Sequence, residues 1–228
     1  MATNRQGRTL IDDVYAAVRA DILLGRLLPG QRVPLGELCT THGVSLSVVR
    51  EAVTRLAAEH LVQARPQQGF KVRELSVPDL IDITRARIEI ESLTVRESVE
   101  LGDVSWEADL VAAHHRLAGA AAVPGETNYA WMKAHSEFHA ALAAACTSTL
   151  LKQIRQQLFD AAELYRFWSA NLPKPRRRRN VEKEHKALLD AAIAHDVEHC
   201  VELLANHIQF TTDRLLAGRP AEVEALNA

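Results

Sequence analysis

Between residues 35 and 72 the apolar positions fall into two helical stripes followed by two strand-like runs. Leu35, Leu38 and Cys39 form a short stripe, and Gly43 follows where a tight turn between helices needs a left-handed backbone. Ser45 stands where its hydroxyl can cap a second helix that begins near Leu46. Within that helix Val49, Ala52, Val53, Leu56 and Ala57 recur at i, i+3, i+4, i+7 and i+8, which buries one face. Ser47, Arg50, Glu51, Thr54 and Arg55 are left outward. Residues 61–64 and 70–73 then read as two strands, joined by a breaker-rich turn over 65–69. This order predicts a winged helix-turn-helix, with the outward residues of the second helix placed for a major groove.

From Pro78 onward the period is helical throughout, with no strand alternation, glycine-rich phosphate loop or internal repeat. Helices are expected near 78–101, 105–122, 126–146, 148–170, 178–194 and 196–217. Gly102-Asp103, Pro124-Gly125 and Pro173-Lys174-Pro175 mark breaks, and Asp196 is placed to cap the last helix. Six helices with short connections predict an antiparallel bundle. The fold class is therefore mainly α: a winged helix-turn-helix domain over 1–75 and an all-helical domain over 76–228, with residues 74–78 as the linker.

Composition narrows the function classes. The 228 residues are 47% hydrophobic and 25% charged, as expected of a soluble protein with room for two cores. Residues 1–75 carry ten Lys or Arg against seven Asp or Glu, a net +3 within a chain of net −2. That is weakly basic for a DNA-binding module, so a homodimer is expected to gather enough phosphate contacts. Cys39, Cys146 and Cys200 have no paired spacing, which argues for a reducing compartment and against a thiolate zinc site. No apolar run reaches membrane length and no signal-peptide core is seen, so a cytoplasmic location is expected.

Ten histidines are present, and their phase matters more than their number. Trp131, His135, Phe138 and Leu142 share one stripe, and His139 lies one turn beyond His135. His185 is in register with Val181, Leu188 and Ala192, while His207 flanks the apolar face of the last helix. Periodicity alone leaves two readings: hydrogen-bonded core histidines, or ligands of a divalent transition metal. His195 and His199 share the spacing of a ligand pair, but a helix start at Asp196 separates them. Arg87 falls in line with Ile83 and Ile90 and so points inward, where a guanidinium needs an anion. Glu91, one turn on, is one partner; a bound carboxylate gripped by two parallel hydrogen bonds is the other. The run Arg176-Arg177-Arg178-Arg179 reads as a solvated surface, and Phe159, Phe167 and Trp168 read as core or dimer contacts.

Quoting Ile22-Leu23-Leu24-Gly25-Arg26-Leu27-Leu28-Pro29-Gly30, Gly43-Val44-Ser45, Val49-Arg50-Glu51-Ala52 and Gly69-Phe70-Lys71-Val72, the segment 14–72 resembles the N-terminal domain of the GntR family of transcription regulators. The resemblance implies that Arg50 contacts operator bases and that Gly69 lets the wing tip approach the DNA backbone. The DNA-facing set is then Ser45, Ser47, Arg50, Thr54 and Arg55 on the helix, with Gly69 and Lys71 on the wing. Two departures remove contacts: Leu46-Ser47-Val48 replaces the usual Arg-Thr-Pro, and Gly36 occupies a position that is frequently basic.

Residues 79–217 resemble the helical effector-binding (FCD-type) domain of the FadR-type branch. The metal set implied by that resemblance is His139, His185 and His207, the last two spaced 22 apart as in the branch. His135 departs from it, standing where the branch has Asp or Asn; it either supplies a fourth nitrogen or leaves the position to water. An all-nitrogen set favours zinc, nickel or another nitrogen-accepting ion, and an anionic effector beside it. The Arg matching Arg87 often contacts effectors in this branch. The expected function is a repressor of transcription on double-stranded operator DNA, controlled by a small carboxylate and without enzymatic activity. A sensor of the metal itself, or a metal-dependent enzyme, are the alternatives.

Overall fold

The computed structural model describes residues 9–74, 76–120, 129–171 and 180–217, except the side chains of 129 and 167–171. The chain divides into two compact units, 1–76 and 77–228. The first contains α1 (Leu10–Leu23), α2 (Leu35–His42), α3 (Leu46–Ala58), β1 (Val62–Arg65) and β2 (Gly69–Val72). Thr9 and Asp12 start α1 with a capping box: the Asp12 amide donates to Thr9 Oγ1 at 3.2 Å and the Thr9 amide to Asp12 Oδ2 at 3.1 Å. Val14, Val18, Ile22 and Leu23 of α1 pack on Val49, Ala52, Val53 and Leu56 of α3, all buried. Gly43 ends α2 at φ 63°, the left-handed conformation its place in the turn requires.

Two local expectations shift here. Ser45 holds the N-cap position of α3 with extended backbone, but its hydroxyl pairs with Ser47 Oγ at 2.8 Å and does not cap the helix. The strands lie one residue off the expected ranges, because Arg65 and Gly69 pair across the hairpin and only Pro66, Gln67 and Gln68 remain in the turn. Antiparallel pairing runs from Val62 opposite Val72 to Arg65 opposite Gly69.

The second unit is built from α4 (Val77–Leu101), α5 (Val104–Gly119), α6 (Tyr129–Leu142), α7 (Thr149–Asn171), α8 (Val181–Ile193) and α9 (Val197–Ala217). α4 packs on α7 and α9, α5 on α6 and α8, and α8 on α9. Leu110, Phe138, Leu142, Leu188, Leu204 and Ile208 fill the centre. Asp103 caps α5 by accepting from the Trp106 amide at 2.8 Å, and Trp106 Nε1 donates to the Ala141 carbonyl at 2.9 Å, which fixes α5 on α6. Gly102 is required by close approach: a Cβ there would sit 2.1 Å from Trp106 Cε3. Asp196 accepts from the His199 amide at 3.3 Å, at the start of α9 where it was expected.

α6 ends at Leu142, short of the expected 146, because Ser98 Oγ of α4 takes the Ala145 amide at 3.0 Å and the chain tightens into i, i+3 turns. The expected breaks at Pro124-Gly125 and Pro173-Lys174-Pro175, and the run Arg176 to Arg179, lie outside the described residues, as do the side chains of Phe167 and Trp168.

Candidate metal centre and nucleic-acid interface

α6 presents His135 and His139 one turn apart, α8 presents His185 and α9 presents His207. Their ligand nitrogens all lie within 4.8 Å of one another. Ring centres are 4.5 Å apart for His135 and His139, 4.8 Å for His185 and His207, and 5.2 Å for His139 and His207. All four side chains are buried, His139 to 1% exposure. Trp131 stacks on His135 at 4.9 Å and closes one side.

Electrostatics prepare these rings to donate lone pairs. Burial pushes His135 and His139 well below the usual histidine range, and the mutual repulsion of protonated neighbours adds to it. Both are therefore neutral at pH 7. Neither ring nitrogen of His139 has a hydrogen-bond partner among the described residues. A buried imidazole in that condition costs about 1–3 kcal/mol, a cost a metal bond removes. His207 Nδ1 sits 2.7 Å from Glu184 Oε2, which orients the ring and leaves Nε2 for the cluster. The donor set thus fits a divalent transition ion, with four nitrogens and an oriented second layer.

Arg87 points inward as expected, at 4% exposure, and its Nε donates to Glu91 Oε1 at 2.7 Å. Burial alone would raise the Glu91 carboxyl, but the guanidiniums of Arg87, Arg155 and Arg166 outweigh it and hold Glu91 ionised below the ordinary range. The structural partner of Arg87 is thus formed.

Sequence reasoning missed Arg155, which lies on α7 at 3% exposure. Its Nη1 reaches Gln156 Oε1 at 3.1 Å, its Nε is 3.9 Å from Glu91 Oε2, and Nη2 has no hydrogen-bond partner among the described residues. The Phe159 ring joins the two groups: its centre is 4.8 Å from Arg155 Cζ, 5.4 Å from Arg87 Cζ and 5.6 Å from the His139 ring. The signal was present in the sequence, because Arg155 precedes the core position Phe159 by one turn.

In the first unit Ser45, Ser47, Arg50, Thr54 and Arg55 are exposed along α3, and Gly69 and Lys71 lie half-buried on β2. Thr54 Oγ1 donates to the Arg50 carbonyl at 2.8 Å. Arg55 differs from the rest. Its Nη1 donates to Asp12 Oδ1 at 2.8 Å and its Cζ lies 4.8 Å over the Tyr15 ring, so it is turned onto α1. The Arg55 hydrogen bond is the largest cause that lowers the Asp12 carboxyl to about 2.

Residues 10–72 match the family described as bacterial regulatory proteins, gntR family, and residues 82–210 match the FCD domain. The chain belongs to the GntR family. Among relatives of this GntR-family chain, the uncharacterized HTH-type transcriptional regulator BphR of Paraburkholderia xenovorans is 39% identical, over 89% of this chain and 83% of that protein. The HTH-type transcriptional repressor GlaR of Escherichia coli is 31% identical over 86% of this chain and 91% of its own length. The solved structure of McbR/YncC from E. coli has the same fold, with a TM-score of 0.75 at 24% identity, covering 92% of this chain and 98% of that one. The GntR-family chain is a transcription regulator with an FCD domain, and its relatives are regulators, not enzymes. Among the described residues, no helix is long and apolar enough to cross a membrane.

Proposed function

We propose that this regulator is a homodimeric repressor whose hold on operator DNA is controlled by a small carboxylate bound in the helical domain, beside a zinc or nickel ion held by His135, His139, His185 and His207. The observation that carries the metal assignment is the convergence of four buried nitrogen donors within 4.8 Å, with both nitrogens of His139 unpartnered. A divalent ion held there supplies positive charge that, with the buried guanidiniums beside it, draws an anionic oxygen into the core. Arg87 and Arg155, which share the Phe159 ring with His139, are placed to receive the anion, with Arg155 the less committed of the two. Glu91 holds Arg87 in place.

On the DNA side, Ser45, Ser47, Arg50 and Thr54 face the groove and Gly69 and Lys71 the backbone, while Arg55 fixes α3 against α1 through Asp12. That the relative GlaR is a transcriptional repressor supports the repressor reading.

One observation favours a second reading. Four imidazoles can close a tetrahedral shell with no open position for an effector. The ion would then be the effector. Chelation separates the two: a metal sensor changes DNA affinity with metal alone, whereas a carboxylate-responsive repressor needs the acid as well.

The site is tested by metal analysis of the purified protein after loading with zinc or nickel and desalting. Wild type is expected to retain about one ion per chain, and His139→Ala and His185→Ala to lose it while keeping their helical circular dichroism. Full metal content in both variants removes the assignment.

A further inference from the structure

The outer face of the wing carries a cation that the sequence reading left unused. Residues 30–33 run beside β2 as a short third strand: the Val33 amide donates to the Phe70 carbonyl at 2.9 Å and the Val72 amide to the Gln31 carbonyl at 2.8 Å. Arg32 is thereby set directly opposite Lys71. In this bonding pattern the facing pair exchanges no backbone bonds with each other, and such pairs bring their side chains closest. β1 continues the row, with Gln63 opposite Lys71 and Arg65 opposite Gly69. Alternation sends Val33, Val62 and Val72 into the core and puts Arg32, Gln63, Arg65, Gly69 and Lys71 on the other face. These five residues include three cations and no carboxylate.

Two like charges directly opposite one another weaken a strand pair, and an anion between them reverses that. No hydrogen bond or ion pair to another described residue holds the Arg32 guanidinium. It lies against the wing, since a Cβ on Gly69 would stand 3.9 Å from its Nη2. Beside it opens a groove of about 380 Å³, bounded by Arg32, Gly69 and Phe70 on one side and by Leu35, Gly36 and Glu37 of α2 on the other. A side chain at Gly36 would meet nothing within 4 Å, so the α2 wall of the groove is bare at that point.

We infer that Arg32 and Lys71 together grip a phosphate of the DNA backbone, with the groove beside Gly36 receiving the sugar-phosphate chain. This rests on the DNA-binding reading of the first unit and adds a phosphate contact to a module that is only weakly basic. Guanidinium binds a phosphate through two parallel hydrogen bonds, and Lys71 adds a point charge. Glu37, the acidic member of the lining, sits across the groove and keeps the grip on the wing side.

The experiment is fluorescence anisotropy of the full chain with a labelled random-sequence duplex over a range of salt concentrations, since a phosphate contact does not depend on base sequence. Arg32→Ala should weaken binding severalfold at low salt and lower the slope of log affinity against log salt by about 0.9 per bound module. Arg32→Lys should keep most of the slope. The alanine variant should melt no lower than wild type, because it removes a like-charge pair. An Arg32→Ala variant with the wild-type slope overturns the inference. Failure of wild type to bind any duplex would instead remove the DNA-binding reading on which it rests.

Discussion

Two unpartnered nitrogens on a fully buried imidazole leave His139 costly to fold without a metal, and its neighbours make protonation worse. The folded pKa values of His135 and His139 lie below the unfolded value of about 6.5. Their contribution to stability is therefore complete above about pH 6.5 and is lost as the pH falls below it toward the folded values. Chelated protein should lose stability from about pH 6.5 downward, at up to about 1.4 kcal/mol per pH unit for each ring. Urea melts across that range check this, and a flat profile speaks against buried neutral imidazoles. Glu184 acts through His207. Glu184→Gln should weaken metal binding about 10–100-fold in a competition titration without changing the ligand set. The histidines were legible because His135, His139 and His185 fall on the apolar phase of their helices and His207 on its flank. Arg155 was missed although it precedes the core position Phe159 by one turn, because an arginine on an apolar stripe reads as buried only once its anion, here Glu91 of α4, is known. For Arg87 the sequence offered two partners, and the structure shows one of them, Glu91, in place.

Helices and their ends followed from local signals where those signals were chemically specific. Gly43 in the left-handed region and Asp196 as a cap could be read directly, and Gly102-Asp103 as a break in which Asp103 turns out to cap α5, since each satisfies a backbone need within a few residues. Asp103→Ala should cost about 1 kcal/mol, or roughly 2–4 °C in the melting temperature. A thermal melt that does not move would mean the α5 start is held by Trp106 packing alone. Other features depend on distant partners and could not be read. The end of α6 is set by Ser98 of α4, and the third strand of the wing pairs residues 30–33 with β2 far along the chain. Arg55 illustrates the same limit. Its phase on α3 is outward, yet Asp12 and Tyr15 of α1 hold it, a contact no helical wheel of α3 contains.

For the whole molecule, the function requires that the effector bind one state of the regulator better than another, because a ligand with equal affinity for both changes nothing. Family membership gives the DNA-binding and FCD parts of that scheme, while the composition showed only that the first unit is weakly basic. Wing cations and a homodimer are how the account makes up the missing phosphate contacts. The central claim is that a small carboxylate binds the helical domain in a metal-dependent way. It is tested most directly by thermal shift of the full chain against a panel of small mono-, di- and tricarboxylic acids, once loaded with zinc or nickel and once with chelator. The account predicts that at least one acid stabilises the metal-loaded protein, by about 2.7 kcal/mol at a hundredfold excess over its dissociation constant, and leaves the chelated protein unmoved. No acid shifting the metal-loaded protein, or equal shifts with and without chelator, would contradict it.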